Sequence, residues 1–128
     1  MGDLLFKICS AIATQEGWFA DPAHSAGAKA MRDRQNPGNL RAAPWVPAAV
    51  IDHGYWKANT AAQGIAGLYH QVALDIARGW TLRQLINSWA PAADGNNPDA
   101  YLHNVMSWAG VNNADVPLCA LLSIQKQG

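Results

Sequence analysis

Charge is scarce in this chain, and glutamate nearly absent. Only 14% of its 128 residues are charged, and nine basic residues cancel nine acidic ones. That balance argues against a nucleic-acid binder held by phosphate contacts, for which a basic face is the usual footprint. No run of like charge forms a polybasic membrane anchor. Long apolar runs are missing too: the opening stretch MGDLLFKICSAIATQEG is interrupted by Asp3, Lys7 and Glu16. It fits neither a signal peptide nor a membrane span, so a soluble protein with no export signal of its own and no membrane insertion is expected. Cysteine is limited to Cys9 and Cys119, and a disulfide or two reduced thiols both stay open. The four histidines, His24, His53, His70 and His103, show no metal-ligand spacing. With no HExxH or CxxC, no metal and no other cofactor is expected. A G-x-S-x-G elbow and a phosphate-cradling loop are also lacking. Cys9 falls on an apolar helix face, which argues against a nucleophilic role.

What is present is helical rhythm and amide-rich polarity. A chain of this length is most simply one domain, residues 1–128, with room for a core. Leu4, Leu5, Ile8, Ile12 and Ala13 recur at helical spacing from an Asp3 cap to Glu16, where Gly17 is a natural stop. From Trp18 to Lys57 the chain holds four prolines and no long period. It reads as loop with room for a short hairpin, and so long an irregular stretch in a compact domain is usually functional. Helices then return. NTAAQGIAGLYHQVALDIARG puts Ile65, Leu68, Val72 and Ile76 on one face, and TLRQLINSWAP opens on a Thr81 cap. NPDAYLHNVMSWAG has Asn97 as cap, Pro98 at the first position and Gly110 as stop, and DVPLCALLSIQKQ opens on Asp115. No segment alternates as a strand does. The class is mainly α.

Glu16 is the only glutamate, the other eight acidic residues being aspartates. A carboxylate in the last turn of a helix sits at the negative end of the dipole, and Trp18 and Phe19 add an apolar wall. Both effects disfavour ionisation, so an upward shift of its pKa is expected. A carboxyl group kept protonated is what general-acid cleavage of a sugar oxygen requires. A solvated glutamate with ordinary titration is the alternative reading of the same position. Trp18, Trp45, Tyr55 and Trp56 all fall in or beside the irregular stretch. Flat rings among asparagines suit sugars, the rings covering C–H faces while amides pair with hydroxyl and N-acetyl groups. Trp80, Trp89 and Trp108, in the later helices, are expected to fill the core.

At QNPGNLR, residues 35–41, these pieces fall into a recognisable order. A helix ending in Glu-Gly is followed by an Asn-Pro-Gly-Asn-Leu-Arg loop and a GIAGLYHQV helix. TLRQLINSWAP, an asparagine pair and YLHNVMSWAGV complete the series. The order resembles small phage and bacterial lysozyme-like proteins, related to goose-type lysozymes and soluble lytic transglycosylases, over about Ala11 to Val111. Two departures are visible: Gln35 stands where the family has a first asparagine, and GYWKANTAAQG replaces a phenylalanine-rich stretch.

The resemblance implies a lysozyme-like domain with helices around a cleft. It implies cleavage of the β-1,4 bond between N-acetylmuramic acid and N-acetylglucosamine in peptidoglycan, by a monomer whose partner is the glycan strand. Glu16 matches the catalytic glutamate. Asn36, Asn39 and Arg41 match the loop lining the cleft, and Asn97 and Tyr101 a second wall. Trp45, Tyr55 and Trp56 are groove candidates as flat rings among asparagines, since GYWKANTAAQG departs from the family there. Such a protein acts on the bacterial cell wall, as an endolysin, a virion-associated lysin or a trimmed secreted domain. Most glycosidases need two carboxyl groups, and the candidates for a second are Asp21, Asp33 and Asp52. A lytic transglycosylase needs one, because the muramic acid C6 hydroxyl replaces water. That route is favoured over hydrolysis, and a catalytically inactive glycan-binding module is the reading from another class.

Overall fold

The computed structural model describes residues 2–43, 45–46, 48–91 and 95–121. Five helices and one hairpin are bounded within them: α1 (Gly2–Glu16), α2 (Ala26–Arg34), β1 (Val50–Asp52), β2 (Tyr55–Lys57), α3 (Ala61–Ala77), α4 (Leu82–Trp89) and α5 (Pro98–Ala109). The chain divides into two compact units. The first is built from residues 1–11 and 71–128, the second from residues 12–70. Among the described residues, no helix is long and apolar enough to cross a membrane.

In the first unit the helix ends follow from local chemistry. Thr81 caps α4 by accepting from the Gln84 amide while the Gln84 side chain accepts from the Thr81 amide, a reciprocal capping box. Asn97 caps α5 through the Ala100 amide, Pro98 fills the first turn, and Gly110 ends the helix at φ +71°. α4 packs against α5, burying Leu82, Leu85 and Ile86 with Leu102 and Val105. Asp115 does not cap a helix as expected. It accepts two hydrogen bonds from Arg83, at 2.8 and 3.4 Å, and helix resumes only at Leu118. The rest of that expected helix, residues 122–128, lies outside the described residues. Cys9 and Cys119 form no disulfide: Cys9 is buried and Cys119 exposed.

The second unit contains a helix the periodicity did not predict. α2 is capped by Ser25, whose hydroxyl accepts from the Ala28 amide at 3.2 Å. It buries only Ala28 and Met31, so it has no apolar stripe to read. Arg32 and Arg34 in its last turn complement the dipole. The expected hairpin is present. β1 and β2 pair antiparallel with Ile51 opposite Trp56 and Asp52 opposite Tyr55. The connecting His53 and Gly54 both have positive φ, +51° and +85°, as a primed two-residue turn requires.

α3 meets the loop through its glycines. A Cβ on Gly64 would collide with the Gln35 carbonyl oxygen, and one on Gly67 with the Trp56 ring. The buried face of α3 therefore runs through Gly64, Leu68, Val72 and Asp75. Ile65, expected on that face, is displaced to its margin and is 44% exposed.

Candidate functional site

Glu16 is the last residue of α1, and the turn after it is fixed by a Schellman motif. Gly17 takes the left-handed conformation at φ +97°. The Trp18 amide bonds back to the Ala13 carbonyl at 2.9 Å and the Gly17 amide to the Thr14 carbonyl at 3.1 Å. Arg32 of α2 clamps this turn from outside: its Nη2 donates to the Trp18 carbonyl at 2.8 Å, and its guanidinium lies 5.1 Å from the centre of the Trp18 ring. The Glu16 residue is left half-buried, and Phe19, three residues on, is 65% exposed.

The Asn-Pro-Gly-Asn loop reaches Glu16 through the Asn39 side chain. Asn39 Nδ2 donates to Glu16 Oε1 at 3.2 Å. Asn39 holds φ +50°, a left-handed conformation that asparagine tolerates better than most residues.

Asn36 was expected to line the groove, and its position corrects that. It is fully buried. Its Nδ2 donates to the Leu40 and Trp56 carbonyls, both at 2.9 Å, and its Oδ1 accepts from the Leu40 amide at 3.0 Å. In an antiparallel pair, alternate residues turn their backbone groups outward. Trp56 does so: its amide bonds the Leu40 carbonyl at 2.8 Å and its carbonyl takes the Asn36 amide. Asn36 thus anchors the loop to β2 rather than offering itself to a ligand.

The aromatic expectations divide in the same way. Trp56 is buried, packed by Gly67 and set edge-on to Trp45 at 5.4 Å between centroids. It is core, not groove. Trp45 is half-exposed and also meets the His70 ring at 4.7 Å. Tyr55 is half-exposed with two guanidinium groups on its ring, Arg34 at 5.0 Å and Arg41 at 5.3 Å. Asn97 and Tyr101 belong to the first unit. Asn97 is the α5 cap, and Tyr101 is buried in that helix, so Tyr101 offers no exposed wall. Trp108, assigned to core filling, is 49% exposed, and Trp80 and Trp89 are only half-buried. The helical stripe of α5 runs through Tyr101, Leu102, Val105 and Ala109 instead.

The three aspartates considered as second carboxylates each have partners of their own. Asp21 accepts from the Ala23 amide at 2.9 Å and pairs with His24 at 2.7 Å; these contacts hold its carboxyl below the usual range. Lys29 donates to Asp33 at 2.8 Å. Asp52 is bonded to His53 at 2.8 Å and to Arg34 at 3.2 Å, which keep it ionised below the usual carboxylate range. The Cys9 thiol is pushed up to about 12 by burial, so at neutral pH it is no nucleophile. Among the described residues, no group of three or more His, Cys, Asp or Glu could hold a metal ion.

No family model, curated protein or solved structure matches this chain. The functional reading therefore rests on the residues themselves. Sequence reasoning missed Arg32 and Arg34, which support the Glu16 turn and the Tyr55 ring. The available signal was the Ser25 cap, which opens the helix that carries both.

Proposed function

We propose that the protein cleaves peptidoglycan at the β-1,4 bond between N-acetylmuramic acid and N-acetylglucosamine, with Glu16 as acid and then base. The observation that carries this reading is the 3.2 Å contact between Asn39 and Glu16. It joins the two motifs on which the lysozyme-like resemblance turns, 23 residues apart in the chain. A half-buried carboxyl group at a helix C-terminus, beside Trp18 and exposed Phe19, has the setting that a proton donor to a glycosidic oxygen needs.

The single-carboxylate route agrees best with the surroundings. Glu16 gives its proton to the leaving O4 of N-acetylglucosamine as the bond to muramic acid C1 breaks. The resulting carboxylate then takes the proton of the muramic acid C6 hydroxyl, whose oxygen closes on C1. The product is a 1,6-anhydro ring, and no water is consumed. Asp21, Asp33 and Asp52 are held by bases, which favours this route over a second carboxylate acting as nucleophile.

The deciding experiment is mass spectrometry of muropeptides after digestion of purified peptidoglycan by wild type and Glu16→Gln. Anhydro-muramic ends that vanish in the variant are expected. Reducing ends, heavier by one water, would make the enzyme a hydrolytic muramidase. No products from either protein, with retained binding to glycan strands, would leave a glycan-binding module.

A further inference from the structure

We infer that Asn39 is a positioning residue for Glu16, fixing the orientation of its carboxyl group and setting its ionisation. The inference rests on the reading of Glu16 as the acid for its catalytic meaning, but the contact itself is tested without any activity.

Asn39 holds φ +50°, a conformation that persists only where the surroundings determine it. Here they do so on both sides. The Asn39 amide bonds the Asn36 carbonyl at 3.0 Å, closing the turn around Pro37 and Gly38. The following residue, Leu40, is held at both its amide and its carbonyl by the buried Asn36 side chain. Asn36 is in turn fixed to Trp56 of β2. This rigid turn directs the Asn39 amide at Glu16, where it reaches Oε1.

An amide aimed at one carboxyl oxygen does two things. It removes rotational freedom from a side chain at a helix end, which a general acid must not have if it is to meet a fixed bond. It also favours the ionised form, against the helix dipole, so the group can return as a base in the second half of the reaction. The arginines of this unit make contacts of their own: Arg32 with the Trp18 carbonyl and ring, Arg34 with Asp52 and Tyr55, and Arg41 with the Tyr55 ring. They are unchanged in the variants below, so differences report residue 39.

Because Glu16 is the sole glutamate, carbon-13 labelling at glutamate Cδ gives a single titrating glutamate resonance. The experiment follows it by NMR in wild type, Asn39→Gly and Asn39→Asp, with circular dichroism to establish that each variant is folded. Glycine keeps the left-handed backbone and removes only the amide. Aspartate keeps the shape and sets carboxylate against carboxylate. The Glu16 midpoint is expected to rise on the order of one unit or more in Asn39→Asp, and by less in Asn39→Gly. On peptidoglycan, Asn39→Gly is expected to lose roughly ten- to a hundredfold in kcat with little change in KM, and the pH profile of Asn39→Asp shifts upward. A folded Asn39→Asp that titrates at the wild-type midpoint overturns the inference. Shifted midpoints in a protein with no lytic activity would instead sink the glycosidase reading and leave the Asn39 contact standing.

Discussion

Two stretches of the chain reach a fixed shape by opposite means. From Thr81 to Gly110, in the first unit, each helix end is set by residues within a few positions of it: Thr81 with Gln84, Asn97 with Ala100, Gly110 with Met106. From Gln35 to Asn59, in the second unit, the deciding bonds span 20 to 24 residues, Asn36 to Trp56, Asn39 to Glu16 and Gln35 to Asn59. The first stretch is stabilised by apolar burial between helices. The second has strands of only three residues and depends on side-chain amides that satisfy backbone groups with no other place to go. The difference teaches where the candidate site's precision comes from. Glu16 is presented by a helix, but what meets it is a loop whose geometry is written in buried hydrogen bonds.

The largest expected effect follows from that dependence. Asn36→Ala would strip the Leu40 amide and the Trp56 carbonyl of their partners in a site without water access. At roughly 1–3 kcal/mol for each buried group left unsatisfied, a loss of about 3–4 kcal/mol is expected in urea unfolding. A loss under 1 kcal/mol would mean that the second unit is held together as the first is, by apolar packing, and the comparison would fail. Next in size is Gly64→Ala. Helix propensity alone predicts a gain of about 1 kcal/mol for alanine in mid-helix. The collision with the Gln35 carbonyl predicts a net loss of about 2 kcal/mol instead. The sign of the change in thermal midpoint decides between them.

The contrast also explains what the sequence could disclose. Thr81, Asn97, Pro98 and Gly110 were legible as helix ends because capping chemistry is local, and Leu68, Val72 and Ile76 because burial follows the helical period. α2 was not legible: two buried residues in nine carry no period. Asn36 was legible as important but not as buried, since nothing in its neighbours reveals that its partners lie at Leu40 and Trp56. Trp56 was misplaced for the same reason. Its burial is decided by Gly67, eleven residues further on, through a missing Cβ. Of the site, Glu16 and Asn39 could be named from motif order, and the Schellman turn followed from Gly17. The Arg32 clamp lay in the helix that had no pattern.

A smaller effect sharpens the other side of the comparison. Thr81→Ala removes the acceptor for the Gln84 amide and breaks the capping box. It should cost about 1 kcal/mol, read from urea midpoints, and leave any lytic activity unchanged. A cost near that of Asn36→Ala would show that the first unit, too, hangs on single polar contacts.

The smallest prediction concerns acid, where Asp75 of the first unit should differ in sign from Asp21 and Asp52 of the second. Asp75, in the first unit, is buried with Arg78 at 2.8 Å and Gln71 at 3.2 Å. Burial pushes its carboxyl up, against the opposing pull of Arg78 and Gln71. Its folded pKa therefore lies above the unfolded value of about 4. The folded state holds the proton more tightly between the two values, so this group's contribution is fully present below about pH 4 and is lost as pH rises through the folded pKa. Asp21 and Asp52, in the second unit, are shifted down. Their contributions are present above the unfolded value and are lost as pH falls, though exposure keeps them weak. Unfolding midpoints of wild type and Asp75→Asn at pH 7 and pH 4.5 isolate the first of these. The stability of wild type relative to the variant should increase on acidification. A relative decrease would mean that Arg78 outweighs burial, and that Asp75 behaves as the exposed, base-held aspartates of the second unit do.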